Sequence, residues 1–324
     1  MWKSRRNALG ALAALALAPT STRIRAASYP SRSVRVVVPF PPGALTDTIG
    51  RIVARHLQEA LGQPFVVENV PGGNSIVGTD RVVQAPPDGY SLLVSATHFV
   101  AVPAVKSDLP YDPRRDLTPI ALLATTPLVL LVHPSLPVHT PAEFVEYAKA
   151  QPQGLSYGSS GVGSSIHFAG SMLASATGAP LVHVPYQGSA KSITDVIGGS
   201  IPAIFLDVGS AQPLVQSGKV RAVAVTSHDA SPLLPDVRPL SSLVDGFDIA
   251  AWYGLYGPAG LPEPIVRQLN TLAVQAVNSP AVRETMIERG NVPGNLDAPQ
   301  FARYVSAELD KWARIAKEAG IRAD

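Results

Sequence analysis

The chain has 324 residues, of which 46% are apolar and 15% charged, and it contains no cysteine. This composition predicts a packed globular protein large enough for two domains, and it excludes intrinsic disorder, a disulfide framework and thiolate metal sites. The formal net charge is +2, but residues 1–28 hold five basic residues and no acidic one, which leaves 21 basic against 24 acidic residues in the remainder. That remainder has no basic stripe, so no nucleic-acid partner is expected.

The N-terminus has the pattern of an export signal. A basic start at residues 3–6 precedes an unbroken run of eleven small apolar residues from Ala8 to Ala18, which is too short to span a bilayer. Small residues at 26–28 predict cleavage just before Tyr29. We therefore expect residues 1–28 to be a signal peptide and the mature protein to be periplasmic, exported by the twin-arginine or the general secretory route. An N-terminal membrane anchor is the alternative.

Strands and helices alternate along the first half of the remaining chain. Short apolar runs predict strands, and apolar residues at three- and four-residue steps predict helices. The predicted strands are Val34–Val38, Phe65–Glu68, Ser91–Ser95 and Leu128–His133. The predicted helices are one from Ile49 to Leu61, which ends at Gly62, and one over Ile76–Gln84.

The same alternation continues to the C-terminus and favours an α/β protein with largely parallel sheets. Further strands are predicted at Leu155–Gly158, Val182–Val184, Ala203–Leu206 and Val220–Thr226. Further helices are predicted at Pro141–Ala150, Ser165–Thr177, Ala190–Ile197, Ala211–Ser217, Glu263–Asn278 and Pro299–Ala319. The last of these opens with a first-turn proline and places Phe301, Val305 and Trp312 on one face.

Two strand–loop–helix junctions carry glycine and small residues. The first is the loop Pro39–Asp47, and the second is the serine- and glycine-rich stretch Ser159–Ser165. The first N–H groups of a helix have no acceptor inside the helix, and the helix dipole makes that end attractive to an anion. One such junction in each half predicts a small anion clamped between two lobes.

The first junction, VVVPFPPGALTD, resembles the signature of the extracytoplasmic solute receptors of tripartite tricarboxylate transport systems, also called Bug proteins. Further segments resemble that family in the same order: GQPFVVENVPGG, GTDRVVQAPPDGYSLLV, LPYDPRRDLTPIALLA, SYGSSGVGSSIHFAG, HVPYQGSA, SGKVRAVAVTS and WYGLYGPAG. The resemblance runs from about Tyr29 to the C-terminus. It departs from the family pattern at Ala44, where these receptors usually have a second glycine.

The resemblance implies a two-lobed α/β fold like that of type II periplasmic binding proteins, with the ligand cleft between the lobes. Lobe 1 would comprise residues 29–126 and 251–324, and lobe 2 residues 127–250. The resemblance also implies a periplasmic substrate-binding protein for a small carboxylate, whether a di- or tricarboxylate, an amino acid or an aromatic acid. The expected partner is a tripartite tricarboxylate-type membrane transporter or a sensor. We expect no catalysis, no cofactor and a monomer.

Sixteen residues at the predicted strand ends are candidates for ligand contact. Backbone donors and small hydroxyls suit a carboxylate, whereas an acidic group would order water or meet a ligand hydroxyl or ammonium. The candidates are Gly43, Ala44, Thr46, Asp47, Thr97, His98, Ser159, Ser160, Gly163, Ser164, Ser165, His167, Tyr186, Gly188, Ser189 and Asp207. Structural interpretations stay open beside these, such as helix capping by Thr46 or Asp47 and a buried phenol at Tyr186.

An exported α/β hydrolase is the rival interpretation, with Ser160, His167 and Asp207 as its serine, base and acid. The sequence lacks the G-x-S-x-G pattern of a nucleophile elbow, because Gly158-Ser159-Ser160-Gly161 has the wrong spacing. It also lacks a G-x-x-x-x-G-K-[ST] phosphate loop and the H-E-x-x-H metal pattern, so neither nucleotide hydrolysis nor a metal site is expected.

Overall fold

The computed structural model describes residues 29–186 and 188–322, so the predicted signal peptide lies outside the described residues. The strands are β1 Val34–Val38, β2 Phe65–Asn69, β3 Ser91–Ala96, β4 Leu117–Val132, β5 Leu155–Ser159, β6 Leu181–Pro185, β7 Ala203–Asp207, β8 Arg221–Val225, β9 Ala250–Pro258 and β10 Val292–Pro293. The helices are α1 Leu45–Leu61, α2 Ile76–Val83, α3 His98–Val105, α4 Pro141–Lys149, α5 Ser165–Thr177, α6 Ser189–Ile197, α7 Val208–Gln216, α8 Glu263–Asn278, α9 Pro280–Glu288 and α10 Ala298–Glu318.

The strands follow one continuous order, β2-β1-β3-β9-β4-β7-β5-β6, with β8 and β10 attached to β4. Strand β1 is parallel to β2 and β3, and β5 is parallel to β6 and β7, as strand–helix–strand units require. The central strands β4 and β9 are antiparallel to every strand they pair with. The sheet is therefore mixed, and the prediction of largely parallel sheets was wrong at its centre.

Strand β4 joins the two groups of parallel strands. Its first part, up to Pro127, pairs with β9, and its last part, from Leu128 onwards, pairs with β7 and β8. The sequence predicted only the last part, since prolines at 119 and 127 argue against a continuous strand. The ladder accommodates Pro119 beside a break in its register with β9.

Four elements were absent from the sequence prediction: the helices α3 and α9 and the strands β9 and β10. Strand β9 contains Gly254, where a Cβ would lie 2.5 Å from Cζ of Phe301, so glycine is what lets α10 pack on this strand while weakening its sequence signal. Helix α3 is apolar on all sides and contains Pro103, so it shows no helical periodicity. The other predicted elements are present, with ends that differ by at most four residues apart from β4.

Helix α10 packs against elements from both halves of the chain. Its N-terminus is closed by a capping box between Asp297 and Gln300. Phe301 meets the Trp252 ring of β9 edge-on, and further along the helix Trp312 meets the Phe168 ring of α5 with 4.4 Å between ring centroids. This helix therefore holds the central strands and α5 together.

A buried carboxylate fastens α10 to β9. Oε2 of Glu308 accepts the indole N–H of Trp252 at 3.0 Å and that of Trp312 at 2.8 Å. Lys311 forms an ion pair with the same carboxylate. Because a buried charge is tolerated only when it is paired and hydrogen-bonded, Glu308 depends on these three donors and they depend on it.

We predict that Glu308→Ala lowers the free energy of unfolding by about 3 kcal/mol, because two buried indole N–H groups lose their acceptor. Glu308→Gln keeps one acceptor oxygen and should lower it by about 1 kcal/mol. Urea denaturation followed by tryptophan fluorescence measures both changes. Glu318→Ala, at an exposed position of the same helix, is the control and should change the stability by less than about 0.5 kcal/mol. Equal stability of Glu308→Ala and the control would show that the carboxylate does not fasten the helix.

Candidate ligand-binding site

The first predicted loop joins β1 to α1 and is shaped by Asp47. The Asp47 side chain is buried, and its Oδ2 accepts the Gly43 N–H at 2.9 Å. Gly43 has a φ of 84°, a left-handed conformation that favours glycine. Ala44 occupies the N-cap position of α1 and offers no side-chain acceptor. The Asp47 carboxylate therefore braces the loop, and the helix start has no side-chain cap.

Two residues that the sequence analysis did not single out, Arg51 and Asn69, complete the binding of Asp47. Arg51 Nε donates to Oδ2 at 3.0 Å, and Asn69 Nδ2 donates to Oδ1 at 2.9 Å and to the Phe40 carbonyl at 3.0 Å. Burial alone would raise the pKa of Asp47, but hydrogen bonds from Arg51, Gly43 and Asn69 and the charge of Arg51 outweigh it, and the pKa is lowered. The carboxylate is therefore ionised, and its charge is balanced inside the loop.

The start of α1 offers backbone donors that the chain does not use. Within the described residues, the N–H groups of Leu45, Thr46 and Asp47 have no hydrogen-bond acceptor. Thr46 is itself buried, with 4% of its surface exposed. Adjacent free amides at the positive end of a helix dipole suit a carboxylate.

Two further helix starts lie against the same loop. A Cβ on Gly78 of α2 would lie 2.8 Å from Cβ of Pro39, so α2 begins in close contact with the loop. His98, in the first turn of α3, meets the Phe40 ring edge-on with 5.2 Å between ring centroids. Burial lowers the pKa of His98 to about 4, so this imidazole is neutral at pH 7. Three helix N-termini therefore lie close to this loop, and among the side chains described here no unpaired positive charge accompanies them.

The second predicted loop joins β5 to α5, and its own side chains shape it. Ser164 caps α5, since its Oγ accepts the His167 N–H at 3.2 Å and donates to the Gly161 carbonyl at 2.8 Å. Ser159 Oγ accepts the Gly161 N–H at 3.0 Å, and His167 Nδ1 accepts the Gly163 N–H at 3.2 Å. Several amides of the loop and helix start nevertheless stay free. In the part of the chain that the structure describes, no acceptor is present for the N–H groups of Ser160, Val162, Ser165 and Ile166.

A second histidine, His183 on β6, lies against His167. The two rings are stacked, with 3.6 Å between centroids and 11° between planes. His183 Nε2 lies 2.5 Å from Ser159 Oγ. Burial, helped by the neighbouring His183, lowers the pKa of His167 to about 3, and burial lowers that of His183 to about 4. Both rings are therefore neutral at pH 7. His183 lies on the adjacent strand, so no local sequence pattern connects it with the loop.

Three of the predicted contact residues have polar groups engaged by the chain itself. Thr97 Oγ1 accepts the backbone N–H of Trp252 at 2.8 Å, which anchors α3 on β9. The Tyr186 phenol donates to Asp195 of α6 at 2.7 Å. Asp207 caps α7 by accepting an N–H of its first turn at 2.8 Å. These groups position α3, α6 and α7, and ligand contact by them stays a prediction.

The candidates form one group in each half of the chain. Gly188 precedes α6 with a φ of 103°, and Ser189 begins that helix. They follow Tyr186, whose N–H donates to the Ser159 carbonyl at 3.2 Å, so the α6 start adjoins the second loop. A Cβ on Gly163 would lie 3.3 Å from a Val105 methyl of α3, and this contact links the second loop to the first group. Among the described residues, no hydrogen bond joins the two loops directly.

The hydrolase arrangement is not formed. His167 Nδ1 is occupied by the Gly163 N–H, and Asp207 caps α7. Within residues 29–186 and 188–322, no hydrogen bond joins any two of Ser160, His167 and Asp207. The same stretches contain no cluster of His, Asp and Glu that could hold a metal ion. None of the helices they form is long and apolar enough to cross a membrane.

A mixed sheet linked through β4 and β9, with open helix starts in both halves, is the architecture of a two-lobed solute-binding protein of the type II periplasmic class. The sequence model of the tripartite tricarboxylate transporter family receptor matches residues 49–321. The chain belongs to that family, which confirms the resemblance, and it is a substrate-binding receptor and not an enzyme.

Individual relatives agree with this assignment. The chain is 31% identical to BugT of Bordetella pertussis over 311 residues, which cover 95% of either chain. It is similar to the structure of an R. palustris protein with adipate, at 33% identity and a TM-score of 0.78, covering 91% of this chain and 99% of that one. It is also similar to the structure of MatC from Rhodopseudomonas palustris with bound malate, at 30% identity and a TM-score of 0.74, covering 89% and 99%.

We predict that Asn69→Ala loosens the first loop, because it removes the donor shared by Asp47 and the Phe40 carbonyl. The free energy of unfolding should fall by about 1–2 kcal/mol in urea denaturation. Gln58→Ala, on the exposed face of α1, is the control and should change it by less than about 0.5 kcal/mol. If Asn69→Ala is as stable as the control, the loop holds its shape without this amide.

Proposed function

We propose that the protein is a periplasmic substrate-binding protein that captures a small carboxylate between the β1–α1 and β5–α5 loops. The observation that carries the proposal is the pair of helix starts with unused backbone donors, at Leu45–Asp47 on α1 and at Ser165 and Ile166 on α5. A carboxylate has two oxygens and accepts several such donors at once. The similar structures that hold adipate and malate support a dicarboxylate as the ligand.

Recognition by neutral donors is consistent with the charges around the loops. Arg51 is paired with Asp47, and Lys191 in the first turn of α6 is exposed. The nearby imidazoles are neutral at pH 7, so backbone amides supply most of the attraction for an anion. A di- or tricarboxylate offers acceptors to both loops. An amino acid or an aromatic acid would use the same donors through one carboxylate.

We further propose that the two lobes comprise residues 29–126 with 251–324, and residues 127–250. The change of β4 partners between Pro127 and Leu128 supports the first boundary, and the start of β9 at Ala250 supports the second. Closure of these lobes around the acid would present the loaded protein, as a monomer, to a tripartite tricarboxylate-type membrane transporter or a sensor. Removal of residues 1–28 during export, by either secretory route, would place it in the periplasm.

A thermal-shift screen of the mature protein tests the ligand class. The panel holds adipate, malate, citrate, aspartate, glutamate and nicotinate, and calorimetry follows on each acid that raises the melting temperature. For at least one acid we expect a micromolar dissociation constant, which corresponds to a binding free energy of about −8 kcal/mol. At about a hundred times that constant, the acid should stabilise the folded state by about 2.7 kcal/mol. The absence of a shift with every acid would contradict the proposal.

We predict that Ser165→Pro weakens binding of the selected acid by about tenfold, about 1.4 kcal/mol, because it removes one backbone donor. Ser165 is the first residue of α5, where proline fits, and the preceding Ser164 already has an extended backbone with a ψ of 156°. The fold should therefore persist, which circular dichroism checks. Ser165→Ala keeps the N–H and removes only the hydroxyl, so it is the matched control. Equal affinities of the two variants in calorimetry would rule out a role for this amide.

A further inference from the structure

Two stacked imidazoles lie directly behind the β5–α5 loop. His167 comes from the first turn of α5 and His183 from the neighbouring strand β6, and the ring centroids are 3.6 Å apart. Stacked rings at this distance are stable only while at most one of them is charged, since two positive charges so close together in a partly buried site repel strongly.

Each ring also makes a hydrogen bond to the loop. His183 Nε2 binds Ser159 Oγ at 2.5 Å, and the same oxygen accepts the Gly161 N–H at 3.0 Å. His167 Nδ1 accepts the Gly163 N–H at 3.2 Å. The pair therefore fixes two glycine amides of the five-residue connection between β5 and α5, and with them the direction of the free donors beside them.

We propose that His167 and His183 are a pair of positioning residues that hold the β5–α5 loop in its anion-binding conformation, and that protonation of the pair distorts the loop and releases the bound acid. The inference rests on the proposed function of that loop. It gives His167 a role other than the direct ligand contact that the sequence predicted, and it adds His183 to the site.

The hydrogen bond to Gly163 explains why the His167 ring must be neutral. Nδ1 of His167 accepts a hydrogen bond, so it carries no proton, and the ring proton is on Nε2. If Nδ1 also took up a proton, it would become a donor facing the Gly163 N–H, which is a donor too, and the hydrogen bond would be lost. A proton added to either ring would also place a charge against the other imidazole.

The surroundings hold the pair in the neutral state at ordinary pH. Burial, and then the neighbouring His183, lowers the pKa of His167 to about 3, while burial lowers the pKa of His183 to about 4. Tyr157 of β5 is the other titratable group against the rings, and burial raises its pKa to about 12, so it stays uncharged. Among the described residues, no carboxylate influences either imidazole.

The direction of the pH effect follows from these values. Both folded-state pKa values lie below the ordinary histidine value of 6.5, so the neutral pair is intact at pH 7 and takes up protons as the pH falls towards about 4. Binding should therefore be complete near neutrality and decline in acid. The bond that is lost belongs to His167, so with its pKa of about 3 only about half of the molecules are competent at pH 3, which raises the apparent dissociation constant about twofold.

The test uses variants that keep each hydrogen bond but cannot titrate. His183→Gln offers an amide near the Nε2 position, and His167→Asn offers an acceptor near the Nδ1 position. Calorimetry with adipate, at pH 7 and pH 3, compares the wild type, the double variant and the control His139→Gln at an exposed site. Because the protonation of adipate affects all three alike, the wild type and the control should lose about twofold more affinity than the double variant. Equal losses in all three would overturn the inference.

Two further measurements keep the test independent of low pH and of the ligand. At pH 7, His183→Ala should bind adipate at least threefold more weakly than His183→Gln, and equal affinities would count against the positioning role.

In ligand-free protein, NMR should show the Gly161 and Gly163 amide resonances shifting with the imidazole titration in the wild type and staying constant in the double variant. If these amide resonances do not shift as the imidazoles titrate, the inference is overturned even if acids bind. If no acid binds but the amides follow the imidazoles, the positioning pair stands and the proposed function fails.

Discussion

This site depends on one constraint, which is that the first N–H groups of every helix need acceptors. The residues around each helix start either provide such acceptors or leave N–H groups free. At α10 they provide them, through Asp297 and the reciprocal bond from Gln300, and at α4 they do so through Thr140. At α1 they do not: Ala44 stands at the cap position, and the nearest carboxylate, Asp47, binds the Gly43 N–H instead. The missing cap therefore leaves donors free at α1, whereas α5 keeps the free N–H groups of Ser165 and Ile166 beside its Ser164 cap.

An acid placed beside an anion site has to be neutralised, and the first loop solves this locally. Arg51 pairs with Asp47, while Asn69 and Gly43 supply neutral donors, so no charge of either sign is left unbalanced. The second loop also has no unbalanced charge, because it is held by two neutral histidines and not by an ion pair. Both loops then present backbone dipoles that are already oriented, and such donors act more strongly in a partly buried site than in water.

The sequence predicts what is local and misses what depends on tertiary contact. The amphipathic helices α1 and α5 and the loops before them follow from short stretches of sequence: α5 was predicted with both ends correct, and α1 begins four residues earlier than predicted. Strand β9 and helix α3 were missed because burial on all sides removes the periodicity from which such elements are recognised. The contacts of Asn69 and His183 with the loops were not predicted for a related reason: each residue reaches its loop from a neighbouring strand, and no fixed spacing in the sequence marks that contact.

The connection between the two halves limits how the loops can move. Pro127 and Leu128 mark the point where β4 exchanges one set of partners for the other, and threonines brace both sides of it. Thr126 donates to Asn291 at 2.6 Å, and Thr226 accepts the Leu128 N–H at 2.9 Å. A change in the angle between the proposed lobes would therefore have to be absorbed near these braces, at the second crossing before Ala250 and where Trp312 of α10 packs on α5, because the packed strands on either side resist bending. In the proposed division the two loops lie on opposite sides of these crossings, so a small rotation of the lobes would change the separation of the loops while leaving the hydrogen bonds inside each loop intact.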